Sequence, residues 1–300
     1  MKLGVSLASV HVVDDHAAGA QWLIERARAC AEAGLDLLSM GDQHNVPVPY
    51  YQNIPMIGRL MAEWPADRPI GALFLLPLWH PVLAAEQIGT LATMSSVPFV
   101  IQTGIGGGES TFAAMGKQLN RRAKDLDESI RVIKALLSGE TVQSERFGIT
   151  GAHISPRPPV GVEWWIGAGA PVALDRAARA GDCWYGNADL TPESGAAQLA
   201  TYLDACERHG RTPHAAVRKD VIVLADGDRA RRLGDDLVAA GYRGMPRAAV
   251  AYGGVDDVAE QLSVFKDIGF DEVTVRCMTV SQADAIETLA LCGEVRAALA

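Results

Sequence analysis

The regular alternation of short apolar runs with longer amphipathic runs constrains the fold of this chain more than any other feature of its sequence. Eight runs are strand-like: Leu3–Leu7, Leu35–Met40, Ile70–Leu75, Phe99–Thr103, Trp164–Ile166, Cys183–Tyr185, Val217–Leu224 and Glu272–Cys277. Six intervening runs have helical periodicity: Ala20–Ala33, Pro81–Met94, Arg122–Leu137, Pro171–Ala180, Glu193–His209 and Ala283–Ala298. Nearly continuous apolar strands that alternate with amphipathic helices are typical of βαβ units and parallel sheets.

Eight such strands in 300 residues predict a single α/β domain over residues 1–300, a (β/α)8 TIM barrel with loop insertions. The insertions are residues 139–162, rich in Gly and Pro, and residues 226–253, which contain a helical run of their own. The alternative is an open doubly wound sheet. It is disfavoured because no G-x-G-x-x-G fingerprint closes the first predicted strand.

Charge and hydropathy narrow the possible partners and the location. The net charge is −9 and no long block of Lys and Arg is present, which argues against nucleic-acid binding. The densest basic segment, Arg121, Arg122 and Lys124, is interpreted as a solvated helix start. No apolar stretch reaches the ~18 residues of a membrane span, the first residues lack the apolar core of a signal peptide, and the cysteines form no C-x-x-C pair. We therefore expect a cytoplasmic protein with reduced thiols that binds neither membrane nor nucleic acid.

The segment after the second predicted strand carries ionisable side chains. Loops that follow the strands build the active sites of parallel barrels, and Asp42, Gln43 and His44 stand at such a position. Histidine titrates near neutral pH, and a neighbouring carboxylate can orient the ring or raise its pKa. The segment thus predicts an acid–base pair. The alternative is that Asp42 caps a turn and His44 lies in a solvated loop.

Two glycine-rich segments follow the fourth and fifth predicted strands. Glycines let backbone N–H groups approach an anion closely, and the second segment leads into a helix that begins at Pro171, whose N-terminus favours negative charge. A phosphate-binding site is therefore predicted, although a flexible turn and tight strand-to-helix packing would use the same residues. Seven residues are predicted to bind the ligand: Thr103, Gly106, Gly107, Gly108, Gly167, Ala168 and Gly169. Glu109 closes the first segment and is a candidate catalytic carboxylate.

Other chemistries of barrel enzymes and hydrolases lack their residues here. No lysine follows a predicted strand, which disfavours a Schiff-base aldolase. Four histidines lie before strands or on helices, so a zinc site built from several strand ends is disfavoured and no metal ligand is predicted. The G-x-S-x-G nucleophile motif is absent as well.

The order and spacing of these segments resemble the luciferase-like flavin- and deazaflavin-dependent oxidoreductases. The resemblance covers nearly the whole chain. The matching segments are Gly34–Asp36, Ser39–His44, His80–Pro81 with Leu83–Leu91, Gly104–Glu109, Phe112–Gly116, Arg122–Glu140, Trp165–Gly169 and Ala177–Tyr185.

The resemblance implies a barrel that holds an isoalloxazine-type ring, from reduced FMN or coenzyme F420, at its C-terminal mouth. It implies a non-prolyl cis peptide near residues 71–73, so that Ala72 and Leu73 would contact the ring. Gln43 replaces a family catalytic histidine, while His44 matches a second histidine of the luciferase branch. The arginine that holds the flavin phosphate in that branch falls at Gly107, whereas Glu109 matches a carboxylate of the deazaflavin-dependent sugar-phosphate dehydrogenases.

The leading functional prediction is a monooxygenase that uses reduced FMN, supplied by a separate flavin reductase, and oxygen on a small organic substrate. The alternative is an F420-dependent dehydrogenase or reductase that transfers a hydride, and a minor alternative is a non-catalytic cofactor-binding barrel. The resemblance also implies a homodimer or a larger homo-oligomer.

Overall fold

The strands close into a ring in the order that the apolar runs predict. In a computed structural model of residues 1–300, the strands are β1 (Lys2–Leu7), β2 (Leu38–Met40), β3 (Ile70–Phe74), β4 (Phe99–Thr103), β5 (Val142–Ser144), β6 (Ile149–Ala152), β7 (Val162–Gly167), β8 (Cys183–Gly186), β9 (Ala215–Val223), β10 (Val250–Gly253) and β11 (Glu272–Cys277). Eight of them pair in parallel in the closed order β1-β2-β3-β4-β7-β8-β9-β11-β1. The predicted (β/α)8 barrel and its eight strands are confirmed.

Helices surround this ring, and capping residues mark several of their ends. They are α1 (His16–Glu32), α2 (Asn53–Leu60), α3 (Pro81–Ala92), α4 (Glu109–Ala114), α5 (Arg122–Ser138), α6 (Pro171–Ala180), α7 (Pro192–His209), α8 (Gly227–Ala239), α9 (Val255–Ile268) and α10 (Gln282–Leu299). The Asp15 side chain accepts hydrogen bonds at the start of α1, and Gly210 ends α7 in the left-handed conformation, as glycine does at many helix ends. None of the helices combines the length and the apolar composition that crossing a bilayer requires.

Both predicted insertions contain regular structure. Residues 139–162 hold the antiparallel hairpin β5–β6, and residues 226–253 hold α8 and β10. Strand β10 does not belong to the ring, because it pairs with the carboxyl half of β9, beyond the end of β8. This second insertion therefore extends the wall of the barrel above β9.

Alternate strand positions face opposite sides, which separates the two cores of the barrel. Outward-facing residues such as Phe74 and Ile101 pack under the helices in the main core. Inward-facing residues such as Val100, Trp165 and Cys183 fill the amino-terminal part of the interior. The larger space for a ligand therefore lies toward the carboxyl ends of the strands, and only a small cavity of about 170 Å³ lies at the amino-terminal end.

The predicted non-prolyl cis peptide near residues 71–73 is wrong. The only cis peptide bond is Ser155–Pro156. Strand β3 instead pairs regularly with β2 and β4 through this stretch. Gly71 permits the close pairing, because a Cβ at this position would lie 2.4 Å from the carbonyl oxygen of Val100.

Candidate active site

A cavity of about 720 Å³ opens at the carboxyl ends of β3, β4, β7, β8 and β9, and we refer to it as the mouth cavity. Its walls include Leu73 and Leu75 after β3, the glycine-rich segments after β4 and β7, and Tyr185 on β8. This is the end at which (β/α)8 barrels carry their active sites. Its volume is in the range of small-molecule sites.

The structure brings most of the predicted binding residues to the mouth cavity. The lining includes six of them: Leu73, Thr103, Gly106, Gly167, Ala168 and Gly169. Gly107 and Gly108 belong to the same loop but are exposed and do not line the cavity. Ala72 is fully buried in the main core beneath the helices, because its side chain is on the outer face of β3.

The glycines leave room that a side chain would fill. A Cβ on Gly167 would lie 3.0 Å from the carbonyl oxygen of Thr103, and one on Gly169 would lie 3.2 Å from Nδ2 of Asn187. Gly106 has a φ of +66°, which L residues adopt only with strain. Helix α6 begins directly after the segment that contains Gly167 and Gly169, so its free N–H groups and positive dipole end face the mouth cavity.

Four arginines line the mouth cavity, and the sequence analysis did not identify them as site residues: Arg122, Arg176, Arg218 and Arg243. Asp189 is the one carboxylate of the lining. The lining thus carries more positive than negative groups, although Arg176 pairs with Asp127 and Arg218 with Asp220 outside the lining. A cavity of this charge favours an anionic ligand.

Arg122 corrects the interpretation of the basic segment as merely a solvated helix start. Arg121 and Lys124 are exposed, but Arg122 turns back and donates from Nη1 to the carbonyl oxygen of Gly106 at 3.0 Å. Its Nη1 lies 3.7 Å from the place where a Cβ on Gly107 would be. The Arg122 guanidinium therefore occupies the space that a long side chain at position 107 would fill.

Asp42 and His44 form a close pair behind Leu75 of the cavity wall, and neither lines the mouth cavity itself. Asp42 Oδ2 accepts hydrogen bonds from the backbone N–H of Leu75 at 2.7 Å and from Nε1 of Trp79 at 2.8 Å. Nε2 of His44 lies 3.1 Å from Oδ1 of Asp42, although the two atoms are not aligned for a regular hydrogen bond. The Asp42 carboxylate raises the pKa of His44, against the opposing effect of partial burial. His44 therefore holds its proton to a higher pH than a free imidazole does.

Gln43 and Glu109, the other two catalytic candidates, are not part of this arrangement. Gln43 is exposed, and its carbonyl oxygen accepts a hydrogen bond from Gln52. Glu109 is exposed at the first position of α4 and lines a neighbouring groove with Lys117 instead of the mouth cavity. Neither side chain contacts the Asp42–His44 pair.

Three buried, inward-facing polar atoms make no regular hydrogen bond within the chain, although the Tyr185 and Thr274 hydroxyls lie close enough to interact with each other. They are the Tyr185 hydroxyl, Nε2 of Gln102 and Oγ1 of Thr274. Gln102 is the register partner of Leu73, which lines the cavity, and burial raises the pKa of Tyr185 to about 12. Buried polar atoms are rarely left unpaired. Of the three residues, only Tyr185 lines the mouth cavity.

The charge of His44 predicts a pH-dependent contribution to stability. Its pKa in the folded state is above the unfolded value of about 6.5. Its stabilising contribution is therefore complete below that value and is lost as the pH rises through the folded pKa. We expect wild type to exceed His44→Gln in free energy of unfolding by more at pH 5.5 than at pH 8.5, measured by urea denaturation. An equal difference at both pH values would contradict the raised pKa.

A closed parallel barrel with a glycine-lined mouth at the carboxyl ends of its strands is the architecture of the (β/α)8-barrel enzymes. Within that class, the chain belongs to the luciferase-like monooxygenase family, whose model matches residues 1–253. The resemblance inferred from the sequence motifs is thus confirmed.

Relatives and solved structures fit this membership. The chain is 28% identical over 177 residues to an F420-dependent glucose-6-phosphate dehydrogenase of Amycolatopsis mediterranei, a match that covers 55% of this chain and 52% of the relative. It is 27% identical over 165 residues to an uncharacterized protein of Mycobacterium tuberculosis, a match that covers 53% of this chain and 56% of the relative. These matches therefore span only about half the length of the curated relatives.

Two solved structures share the fold over almost the whole chain. One is the monooxygenase RslO1 from Streptomyces bottropensis, with a TM-score of 0.82, 16% identity and 98% coverage of both chains. The other is an F420-dependent secondary alcohol dehydrogenase in complex with an F420–acetone adduct, with a TM-score of 0.80, 14% identity, and coverage of 100% of this chain and 99% of that chain. At these identities the likeness concerns the fold alone.

Proposed function

We propose that this protein is a monooxygenase that binds reduced FMN in the mouth cavity and acts on a small organic substrate. The single observation that carries the proposal is the position of Arg122. The arginine that holds the flavin phosphate in the luciferase branch is absent at Gly107, but the Arg122 guanidinium lies beside that position and on the glycine-rich loop. A cationic group for a flavin phosphate is therefore available from α5.

The residues of the cavity fit such a cofactor. The N–H groups of the two glycine-rich segments and the start of α6, together with Arg122 and Arg176, would hold the phosphate. Leu73 and Leu75 offer an apolar wall that excludes water, and the unpaired Tyr185 hydroxyl offers a polar contact. When bound, reduced FMN supplies the electrons with which molecular oxygen is activated for insertion into the substrate. A separate flavin reductase and a homo-oligomeric state remain predictions of the family resemblance.

F420-dependent hydride transfer is the second candidate, and the Asp42–His44 pair favours it. Reduction of a carbonyl or imine by a hydride needs a proton donor, and a histidine with a raised pKa next to the cavity wall can serve as one. The F420-dependent glucose-6-phosphate dehydrogenase of Amycolatopsis mediterranei, to which the chain is similar, also supports this candidate. The exposed position of Glu109, outside the mouth cavity, counts against the sugar-phosphate dehydrogenase form.

Cofactor titration separates the two candidates. We expect reduced FMN, titrated anaerobically, to bind to the purified protein with a dissociation constant that rises about tenfold or more in Arg122→Gln, because one charge-assisted contact is lost. Arg121→Gln is the matched control, since it removes an exposed charge from the adjacent position and should leave the affinity unchanged. Quenching of the protein fluorescence measures the dissociation constants of both variants. Tight F420 binding without FMN binding would reject the monooxygenase in favour of hydride transfer.

A further inference from the structure

A second group of arginines surrounds one buried carboxylate on the opposite side of the mouth cavity, at β9. Asp220 is fully buried, and its Oδ1 accepts a hydrogen bond from Nε of Arg218 at 3.2 Å. Its Oδ2 accepts one from the Tyr242 hydroxyl at 2.9 Å, and Nε of Arg243 lies 3.8 Å from the same oxygen. Arg276 is the register partner of Asp220 on β11 and faces the same interior. We refer to Arg218, Arg243 and Arg276 as the β9 arginine cluster.

This cluster carries more positive charge than its surroundings neutralise. The guanidinium groups of Arg218 and Arg243 share the single carboxylate of Asp220, and Arg276 beside them forms no ion pair. Asp189, the other carboxylate of the cavity, is exposed and pairs with none of them. Burial, followed by the like charges of Arg276 and Arg218, lowers the pKa of Arg243. Partly buried excess charge is costly unless a counter-ion binds.

The backbone of Arg243 is held in an unusual conformation that places the side chain in the cavity wall. Its φ is +50°, and Gly241 and Gly244 on either side of Tyr242–Arg243 have φ values of +80° and +67°. Left-handed backbone costs a non-glycine residue roughly 1–2 kcal/mol. Such outliers concentrate at ligand-binding sites, where the surrounding structure maintains them. Arg243 and the following Met245 both line the mouth cavity.

The cluster is separate from the groups assigned to the cofactor phosphate. Arg122 and Arg176 belong to α5 and α6 and lie with the glycine-rich segments that follow β4 and β7. The β9 cluster belongs to β9, β11 and the segment after α8. One cavity thus offers two cationic walls, and the cofactor phosphate requires only one of them.

We propose that the β9 arginine cluster binds the substrate through an oxyanion, so that the substrate of this enzyme is a small organic acid with a carboxylate or phosphate group. The planar, forked guanidinium groups of Arg218 and Arg243 match the paired oxygens of such a group. Asp220 acts as a positioning residue, because its carboxylate holds Arg218 and Arg243 from the buried side, and the Tyr242 hydroxyl donates a hydrogen bond to that carboxylate. This inference rests on the proposed function in one respect: it assigns the wall with Arg122 and Arg176 to the cofactor phosphate.

Anion titration of the FMN-loaded protein tests this assignment. Inorganic phosphate and acetate, titrated at constant ionic strength and followed by calorimetry, are the probes for the two oxyanion types. We expect at least one of them to bind to wild type, and its dissociation constant to rise about tenfold or more in Arg243→Gln. Arg243→Lys should lose affinity as well, because an ammonium group cannot bind two oxygens in the same plane. Arg232→Gln, which removes an exposed charge from α8, is the matched control and should bind like wild type.

The outcomes distinguish this inference from the proposed function. A loss of FMN affinity in Arg243→Gln would overturn the inference, because the cluster would then hold the cofactor. Equal anion affinity in wild type and Arg243→Gln, or no anion binding at all, would overturn it too. A third outcome is that the protein does not bind FMN, while the FMN-free protein binds an anion with an affinity that is lost in Arg243→Gln. In that case the proposed monooxygenase fails and the oxyanion site is supported.

Discussion

Gly106→Leu is expected to abolish cofactor binding while the barrel stays folded. Gly106 has a φ of +66°, and a Cβ at this position would lie 3.5 Å from Cε2 of Phe112 and 3.6 Å from Cβ of Leu75. A leucine side chain would extend into the mouth cavity from the loop that is proposed to hold the phosphate. Left-handed backbone costs leucine about 1–2 kcal/mol, which is less than the 5–15 kcal/mol stability of a typical domain. We expect the dissociation constant for the cofactor to rise at least about 100-fold, a change equivalent to roughly 3 kcal/mol.

Gly116→Leu is the matched control for this variant. Gly116 has the same φ of +66°, but nothing lies within 4 Å of a Cβ built there, and it does not line the mouth cavity. Both variants should therefore lose similar free energy of unfolding in urea titrations, and only Gly106→Leu should lose cofactor affinity in fluorescence titrations. If Gly106→Leu binds the cofactor as wild type does, the glycine-rich loop after β4 is not the phosphate site.

The barrel could be predicted from the sequence because the buried strands of a parallel sheet are nearly continuous apolar runs. Most ring strands follow this rule, including the three-residue β2 within the predicted run Leu35–Met40, whereas β9 and β11 also carry charged residues. The sequence analysis missed the 14-residue helix α9, and the other elements that it did not predict are short. Helix α2 has only eight residues, and the hairpin β5–β6 has strands of three and four residues. Such lengths leave too little periodicity to detect.

The loops of the site could be predicted, but the charged groups on its walls could not. Glycines and ionisable residues that directly follow a strand are visible in sequence, and Asp42 and His44 do lie together. Arg122 and Arg243 are distant in sequence from the loops they join, and their direction depends on how a helix start and a left-handed turn are packed. Adjacency in sequence does not place a side chain in the site. Gln43 and Glu109 were chosen because they stand beside candidate site residues, but both are exposed.

Asp42→Ala is expected to destabilise the protein and to disorganise the mouth on the β3 side. The carboxylate accepts the backbone N–H of Leu75 and the indole N–H of Trp79, and its side chain is fully buried. Alanine would leave both donors without a partner, at a cost of roughly 2–4 kcal/mol for the two. Urea denaturation should show this loss. An unchanged free energy of unfolding would mean that water replaces the carboxylate at no cost.

Asp42→Asn separates the hydrogen bonds of this residue from its charge. The amide oxygen can still accept from Leu75 and Trp79, so the loss of stability should be smaller than in Asp42→Ala. The negative charge that raises the pKa of His44 is removed, so His44 should lose its proton at lower pH than in wild type. NMR titration of the His44 ring measures that shift. If His44 donates a proton during turnover, the alkaline limb of the pH–rate profile should move to lower pH in parallel. A shift in the NMR titration without a shift in the profile would assign His44 to structure, and hydride transfer would lose its proton donor.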